Sequence, residues 1–318
     1  MANEFGFFNY LRLKFFVTLL RTVLIFQSWY PLRRDRLLAQ RSYLSVRKQR
    51  VRIPSRDLGR YIDGDLYNPE GSDSGPKPVL VNWHGSGWVL PLLGSDELFC
   101  KRVAYETGIC VLDADYRKAP ETPFPGPLND VEDALRWVAT KQDLFDSKRV
   151  ALSGWSAGAQ LALVAATELR TKVFKPSCIL DIVAVVAFYP ETDLAVAPET
   201  KTVPNPIKAH PPFMLHFFHD CFVPDKSMRA DPLVSPSRAD PASFPSTVAI
   251  LTCEGDTFAP EALELAEKLD DGKREVVVKN LEGVHHGFDK GAERGTKEWD
   301  RREEAYGLAV ECLRKVFK

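Results

Sequence analysis

Val150-Ala151-Leu152-Ser153-Gly154-Trp155-Ser156-Ala157-Gly158-Ala159-Gln160 is the stretch on which the fold of this 318-residue chain turns. An apolar run ends at Gly154, a serine stands midway between two glycines, and a helical run from Gln160 to Leu169 follows. Gly-x-Ser-x-Gly therefore falls at a strand-to-helix turn. So sharp a turn crowds the residues two before and two after the serine, and Gly154 and Gly158 bring no side chains to collide there. Ser156 would stand clear of the sheet, its Oγ able to reach a carbonyl carbon and the helix N-terminus behind it favouring developing negative charge.

Outward from this turn, strand-like and helical runs alternate. Ser45–Pro54 and Arg60–Tyr67 are rich in β-formers and end in Asn68-Pro69, which predicts a hairpin opening a sheet. Further strands are predicted at Pro78–Trp83, Gly108–Ala114, Arg149–Ser153, Ile182–Phe188, Val248–Cys253 and Glu275–Val278. Helices are predicted at Ser95–Tyr105, Pro127–Thr140, Ala157–Leu169, Pro260–Leu269 and Glu298–Val316. This alternation implies an α/β class: a mostly parallel central sheet with helices on both faces. The interval Thr192–Phe244 breaks the rhythm with many prolines and the cluster Phe213, Leu215, Phe217, Phe218 and Phe222, an insertion suited to a lid.

Composition narrows the partners. Hydrophobic residues make up 45% and charged residues 27%, ordinary globular usage that excludes disordered, collagen-like and disulfide-rich classes. A net charge of -1 supplies no overall field for nucleic acid or an anionic membrane, so the expected partner is a neutral small molecule. Cys100, Cys110, Cys178, Cys221, Cys253 and Cys312 form no CxxC pair and have no His at zinc-ligand spacing; reduced, mostly buried thiols are expected, with no metal. No Asn-x-Ser/Thr acceptor occurs, which leans towards a cytoplasmic location.

Near the N-terminus, Leu11–Gln27 is apolar but interrupted by Arg12, Lys14 and Arg21, too charged to span a membrane. Phe15, Phe16, Leu19, Leu20, Val23 and Leu24 recur near helical spacing and predict an amphipathic helix with one face to cover. Packing on the rest of the protein is the expected use of that face, and peripheral membrane contact is the alternative.

Two more elements complete a candidate site. The loop His84-Gly85-Ser86-Gly87 follows the apolar strand Val79–Trp83, where backbone N–H groups of Ser86 and Gly87, with that of Ala157 after the serine, could cradle an oxyanion. Such donors are worth about 3 kcal/mol each in acyl transfer. Downstream, His210, His216, His219 and the pair His285-His286 are the candidate bases. The pair lies in a loop after a predicted strand and before the last helix, which favours it, with His286 as the base and His285 as the fallback. Asp256, after Val248–Cys253, is the candidate acid, in competition with Glu254 and with a plain helix-capping role for Asp256.

These residues carry a resemblance to the hormone-sensitive lipase family of α/β-hydrolases, over nearly the whole chain. The family's HGGG resembles His84-Gly85-Ser86-Gly87, its GDSAGG resembles Gly154–Ala159, and its DYRLAPEHPFP resembles Asp115–Glu121 with Pro123-Phe124-Pro125. Its DPL is similar to Asp256-Thr257-Phe258, and its terminal HGF to His286-Gly287-Phe288, which selects His286 over His285. Three departures stand out: Ser86 for the middle glycine, adding a hydroxyl as a further candidate donor; Trp155 for the Asp before the serine; and Thr257 for Pro.

The resemblance implies the α/β-hydrolase fold as a single domain over residues 1–318, with a helical cap from about 1–45 and 192–230. It implies a cofactor-independent serine carboxylesterase acting through Ser156, His286 and Asp256 as a catalytic triad, and the Phe-rich segment, the apolar face of the N-terminal helix and the ring of Trp155 predict short to medium acyl esters as substrates. Trp88, Trp155, Phe213 and Phe217 are the expected substrate-binding residues, and the chain would act as a monomer or homodimer. The alternatives are a pathway-specific enzyme on the same fold, performing deacylation, acyl transfer or lactone chemistry, and a non-catalytic receptor of the gibberellin-receptor type, against which His286 speaks.

Overall fold

The structure, a computed structural model, describes residues 5–71, 75–170 and 180–318, with the side chain of Ile25 left aside; Cys178 lies outside the described residues. One eight-stranded sheet is built from β1 (Val46–Pro54), β2 (Tyr61–Pro69), β3 (Lys77–Trp83), β4 (Cys110–Ala114), β5 (Phe145–Trp155), β6 (Ile182–Phe188), β7 (Thr247–Cys253) and β8 (Glu275–Leu281). The order is β1-β2-β4-β3-β5-β6-β7-β8. β1 and β2 pair antiparallel, β2 meets β4 antiparallel, and every later pairing is parallel.

The middle strands are near-continuous apolar runs because both their faces are covered. Every residue of β7 is buried, as is every residue of β4. On one face α3 (Gly126–Thr140), α4 (Ala157–Val164, continued by a π turn to Leu169) and α6 (Ala259–Leu269) close a core around Val81, Leu152 and Ile250. On the other, α2 (Glu97–Thr107) and α7 (Lys297–Phe317) close a second core around Phe99, Trp155 and Phe188. The five described cysteines, Cys100, Cys110, Cys221, Cys253 and Cys312, are unpaired and buried.

The N-terminal helix differs most from its reading. α1 runs from Phe7 to Ser42 and bends by 47° between Leu24 and Phe26, less than two turns before Pro31, whose ring removes one helical hydrogen bond. Its second half docks through Leu38 and Ala39 on the second core and through a buried carboxylate between them and the bend. Buried Asp35 accepts from the Gly291 N–H at 2.5 Å and from Arg302 Nη1 at 3.1 Å. The stripe also falls on a different face. Leu13 and Val17 are buried and Leu20 and Leu24 half-buried, whereas Phe15, Phe16, Leu19 and Val23 point to solvent.

The charges that interrupt the stretch explain this: Lys14 and Arg21 turn inward to Glu121, Arg21 Nη2 lying 2.9 Å from Oε2. Arg21 also donates to the carbonyls of Val89 (2.8 Å) and Ala119 (3.1 Å), fastening α1 across the loop after β3. The Pro-rich interval carries α5 (Pro212–Phe222) and short 3₁₀ turns, with no strand among the described residues.

Candidate active site

β5 delivers Ser156 at its C-terminal end with φ 51° and ψ -120°, a conformation rarely open to a non-glycine residue. The flanking glycines make it possible. A Cβ on Gly154 would lie 2.4 Å from the Gly158 carbonyl, and one on Gly158 would lie 2.1 Å from the Trp83 carbonyl oxygen. The turn is tied down on both sides: the Ser156 N–H donates to Phe188 O at 2.9 Å, and Ser156 O accepts from the Gln160 N–H at 2.9 Å.

Parallel register carries the other groups to the same edge of the sheet. Trp83 pairs with Gly154, Trp155 with Phe188, Phe188 with Leu251, and Cys253 with Leu281, so the loops after β3, β5, β7 and β8 emerge side by side. There His286 Nε2 lies 2.8 Å from Ser156 Oγ, and His286 Nδ1 lies 2.6 Å from Asp256 Oδ2. Asp256 is buried, and its Oδ1 accepts from the Phe258 N–H at 3.2 Å.

The competitors point elsewhere. Glu254 accepts from the Gly283 N–H, His285 Nδ1 faces the His286 carbonyl, His216 meets Glu199, and His219 meets Glu191.

The loop that holds His286 is braced from beneath. Asp289 accepts from Tyr189 Oη (2.6 Å) and Tyr306 Oη (2.9 Å), and Lys290 bridges Asp289 and Asp96. The imidazole itself sits among the rings of Tyr189, His210 and Phe258, with centroids 4.6, 4.8 and 5.4 Å away. Burial, reinforced by His286, pushes His210 down to about 4, so it is neutral at pH 7 and adds no positive charge beside the base.

Donor atoms of His210, Asp256 and His286 lie within 4.8 Å of one another, the one grouping of metal-ligand type among the described residues. Both nitrogens of His286 already face Ser156 and Asp256, so a cation there would have to break that chain.

On the β3 side, the Ser86 carbonyl accepts from the Val89 and Leu90 N–H groups, curling the loop against Ser156. Gly87 takes φ 53° beneath Phe218, whose ring carbons would sit 3.0 Å from a Cβ there. Ala157 opens α4, where a first-turn N–H has no intrahelical acceptor. Ser86 and Gly87 thus border the same cavity as Ser156, and Ala157 follows the serine at the helix start.

The Ser86 hydroxyl is not a further donor to this space. Its Oγ lies 2.6 Å from Tyr116 Oη, and Tyr116 spends its one proton on His84 O at 2.8 Å, so Ser86 must donate to Tyr116. Ser86→Gly is therefore expected to change kcat by less than about tenfold in p-nitrophenyl ester assays, well below the roughly 10² to 10³ that accompanies loss of an oxyanion donor. Beneath this loop, His84 Nε2 lies 3.1 Å from Asp115. Burial alone would raise Asp115, but His84 and Lys118 hold its carboxyl well below the usual range.

The cavity in front of Ser156 is about 380 Å³ and mainly apolar, walled by Leu20 and Leu24 of α1, Met214 and Phe218 of α5, and Trp88. Trp88 is fixed there at φ 62°, stacked on Phe222 at 4.5 Å and donating Nε1–H to Gln160 Oε1 at 3.1 Å.

The other three expected substrate contacts lie elsewhere. Trp155 is fully buried in the core on the far face of the sheet, stacked on Phe188 at 4.3 Å and capped by Lys290 Nζ at 4.3 Å. Strand alternation sends the residue before the serine away from the pocket. Phe213 and Phe217, four apart on α5, line a separate outer groove, while Met214, Leu215 and Phe218 face the cavity.

Sequence reasoning also passed over Glu191, which lines the cavity and is buried. Its Oε1 accepts from His219 Nε2 and Lys201 Nζ, both at 2.7 Å, and Lys201 reaches on to Glu261 at 2.7 Å. Burial opposes charge on both carboxyls; His219 and Lys201 nevertheless hold Glu191 below its ordinary range, while Glu261 is raised. No local signal marked this network, because its members are brought together only by the insertion.

The profile of a family described as alpha/beta hydrolase fold matches residues 80–290, which include Ser156, Asp256 and His286. An ethyl acetate hydrolase of Pseudomonas putida is 27% identical over 240 residues, 74% of each chain. Among solved structures, the carboxylesterase EstE1, from a metagenomic library, superposes with a TM-score of 0.77 at 25% identity, over 95% of this chain and 98% of its own. A bacterial heroin esterase gives a TM-score of 0.77 at 26% identity, over 94% and 91%.

Proposed function

The chain belongs to the alpha/beta hydrolase fold family and is a carboxylic ester hydrolase, and from that premise we propose that it hydrolyses short to medium acyl esters through a Ser156 acyl-enzyme. The observation that carries the residue assignment is the unbroken hydrogen-bond chain from Ser156 Oγ through His286 to buried Asp256. His286 Nε2 takes the Ser156 proton as Oγ attacks the ester carbonyl. Asp256 keeps the other proton on Nδ1 and offsets the imidazolium charge. The carbonyl oxygen, now negative, turns towards the N–H groups of Ser86, Gly87 and Ala157, and collapse of the tetrahedral intermediate expels the alcohol, protonated by His286. Water activated by the same imidazole then attacks the acyl-enzyme and releases the acid.

Substrate size follows from the walls. Each methylene buried against Leu20, Leu24, Met214 and Phe218 gains about 0.8 kcal/mol until the cavity ends, after which added length clashes or stays in water. Across a p-nitrophenyl ester series, kcat/KM is expected to rise from acetate to an optimum between butyrate and octanoate and to fall steeply by palmitate. A maximum at palmitate would overturn the size assignment, and an absence of turnover throughout would overturn the esterase reading.

A further inference from the structure

α1 is apolar on two faces but packed on one. Leu13 and Val17 are buried against the protein, while Phe8, Phe15 and Phe26 on the opposite side are 85%, 65% and 78% exposed. Phe16, Leu19 and Val23 continue this outward surface into a groove of about 740 Å³ between α1 and α5. Leu20 and Met214 line both this groove and the cavity in front of Ser156, so the outer groove adjoins the candidate active site. An apolar face of this extent, on a helix already satisfied on its other side, requires an occupant.

The charge of the segment says which. Between residues 7 and 50 there are ten basic residues and one acidic residue, in a chain whose total charge is -1. Six of the ten pair with carboxylates of the protein, Lys14 and Arg21 with Glu121, Arg34 with Glu293, Arg36 with Glu97, and Lys48 and Arg50 with Asp65, whereas Arg12 and Arg33 stand exposed on the helix, Arg33 resting 5.1 Å from the centre of the Trp29 ring. Along the second half of α1 the exposed side chains run from Phe26 through Trp29 and Tyr30 to Arg33, while in the first half Arg12 stands between the exposed rings of Phe8 and Phe15. That sequence of apolar, amphipathic aromatic and cationic groups matches the layers of a bilayer interface, from acyl boundary through headgroup level to phosphate. The 47° bend after Leu24 allows the phenylalanine half to sink while the Trp29 half rises to the headgroups. A second copy of the chain would instead have to face this cationic segment with the same positive charge.

We propose that the outward face of α1 docks the protein on an anionic phospholipid surface, with the α1–α5 groove opening towards the lipid. On the esterase reading given above, esters dissolved in the bilayer would then enter the cavity past Leu20 and Met214. Docking needs no chemistry, so the two readings can fail separately.

Flotation of the full chain on vesicles tests it, using phosphatidylcholine alone and phosphatidylcholine with about one third phosphatidylserine. Binding to the anionic vesicles is expected to exceed that to neutral ones by at least about tenfold and to fall in roughly 0.5 M salt. Ser156→Ala should float like the unaltered chain. Phe8→Glu/Phe15→Glu/Phe26→Glu should abolish flotation while turnover of p-nitrophenyl butyrate stays within about twofold, because these rings line neither the cavity nor the groove. Arg12→Ala/Arg33→Ala, which leaves the apolar face intact, should lose the preference for anionic vesicles. Equal binding to both vesicle types, absence of binding, or a dimer in sedimentation that the triple glutamate variant splits would overturn the proposal.

Discussion

Ser156→Ala is expected to lower kcat for p-nitrophenyl butyrate by about 10⁴ or more and to abolish labelling by a fluorophosphonate. The size of the loss follows from the geometry. Among the described residues Ser156 Oγ is the hydroxyl hydrogen-bonded to His286 Nε2, at 2.8 Å, and it is presented on a turn whose φ of 51° lifts it from the sheet into the cavity. Removing it leaves the proposed oxyanion donors and the apolar walls, which retain a residual acceleration but no nucleophile. Mass spectrometry of the labelled protein should place the adduct on the peptide carrying Gly154-Trp155-Ser156-Ala157-Gly158. An adduct on Ser86, which also borders the cavity, would overturn the assignment; that hydroxyl is engaged by Tyr116 rather than by a histidine nitrogen.

The second large effect separates two adjacent histidines. His286→Ala is expected to lower kcat by about 10³ or more with little change in KM, since the imidazole acts on the proton in flight rather than on bound ester. His285→Ala should change kcat by less than about threefold. The difference rests on direction: His286 reaches Ser156 and Asp256, whereas His285 turns its Nδ1 to a backbone carbonyl and its Nε2 towards Lys208 at 3.3 Å. Steady-state kinetics of both variants decide the matter, and equal losses would mean that the loop, braced through Asp289 and Lys290, rather than one imidazole, had been disrupted.

What could be read from the chain was what short range dictates. Apolar runs long enough to be buried on both faces marked the parallel strands, with ends misplaced by a few residues: β5 begins at Phe145 rather than Arg149, and β8 continues to Leu281 rather than Val278. α1 was read too short because the inward contacts of its second half are shared between a few apolar residues, Leu38 and Ala39, and the charged Asp35, which breaks the apolar period. Cavity walls were harder still. On α5 the reading picked Phe213 and Phe217 for size, yet which phenylalanine meets substrate depends on how the helix is rolled, and that roll is set by Phe222 stacking on Trp88.

The sequence by itself determined the order of strands and helices outside the Thr192–Phe244 insertion, whose helix α5 it did not mark, and the sharp turn at Ser156. It also placed Asp256 and the His285-His286 pair in loops after successive strands, because these depend on neighbours along the chain: glycines that must be small, apolar residues at a period, and loops that follow strand ends. Only the tertiary structure decided where side chains a few residues apart would go. Trp155 went into the far core because alternation along β5 gives it to Phe99 and Phe188. The Ser86 hydroxyl went to Tyr116, 30 residues away, and Glu191 became a buried carboxylate at the cavity because Lys201 and His219 arrive from the insertion. Each of these outcomes rests on partners distant in sequence, whose burial must be balanced by hydrogen bonds or charge at the place where the fold sets them down.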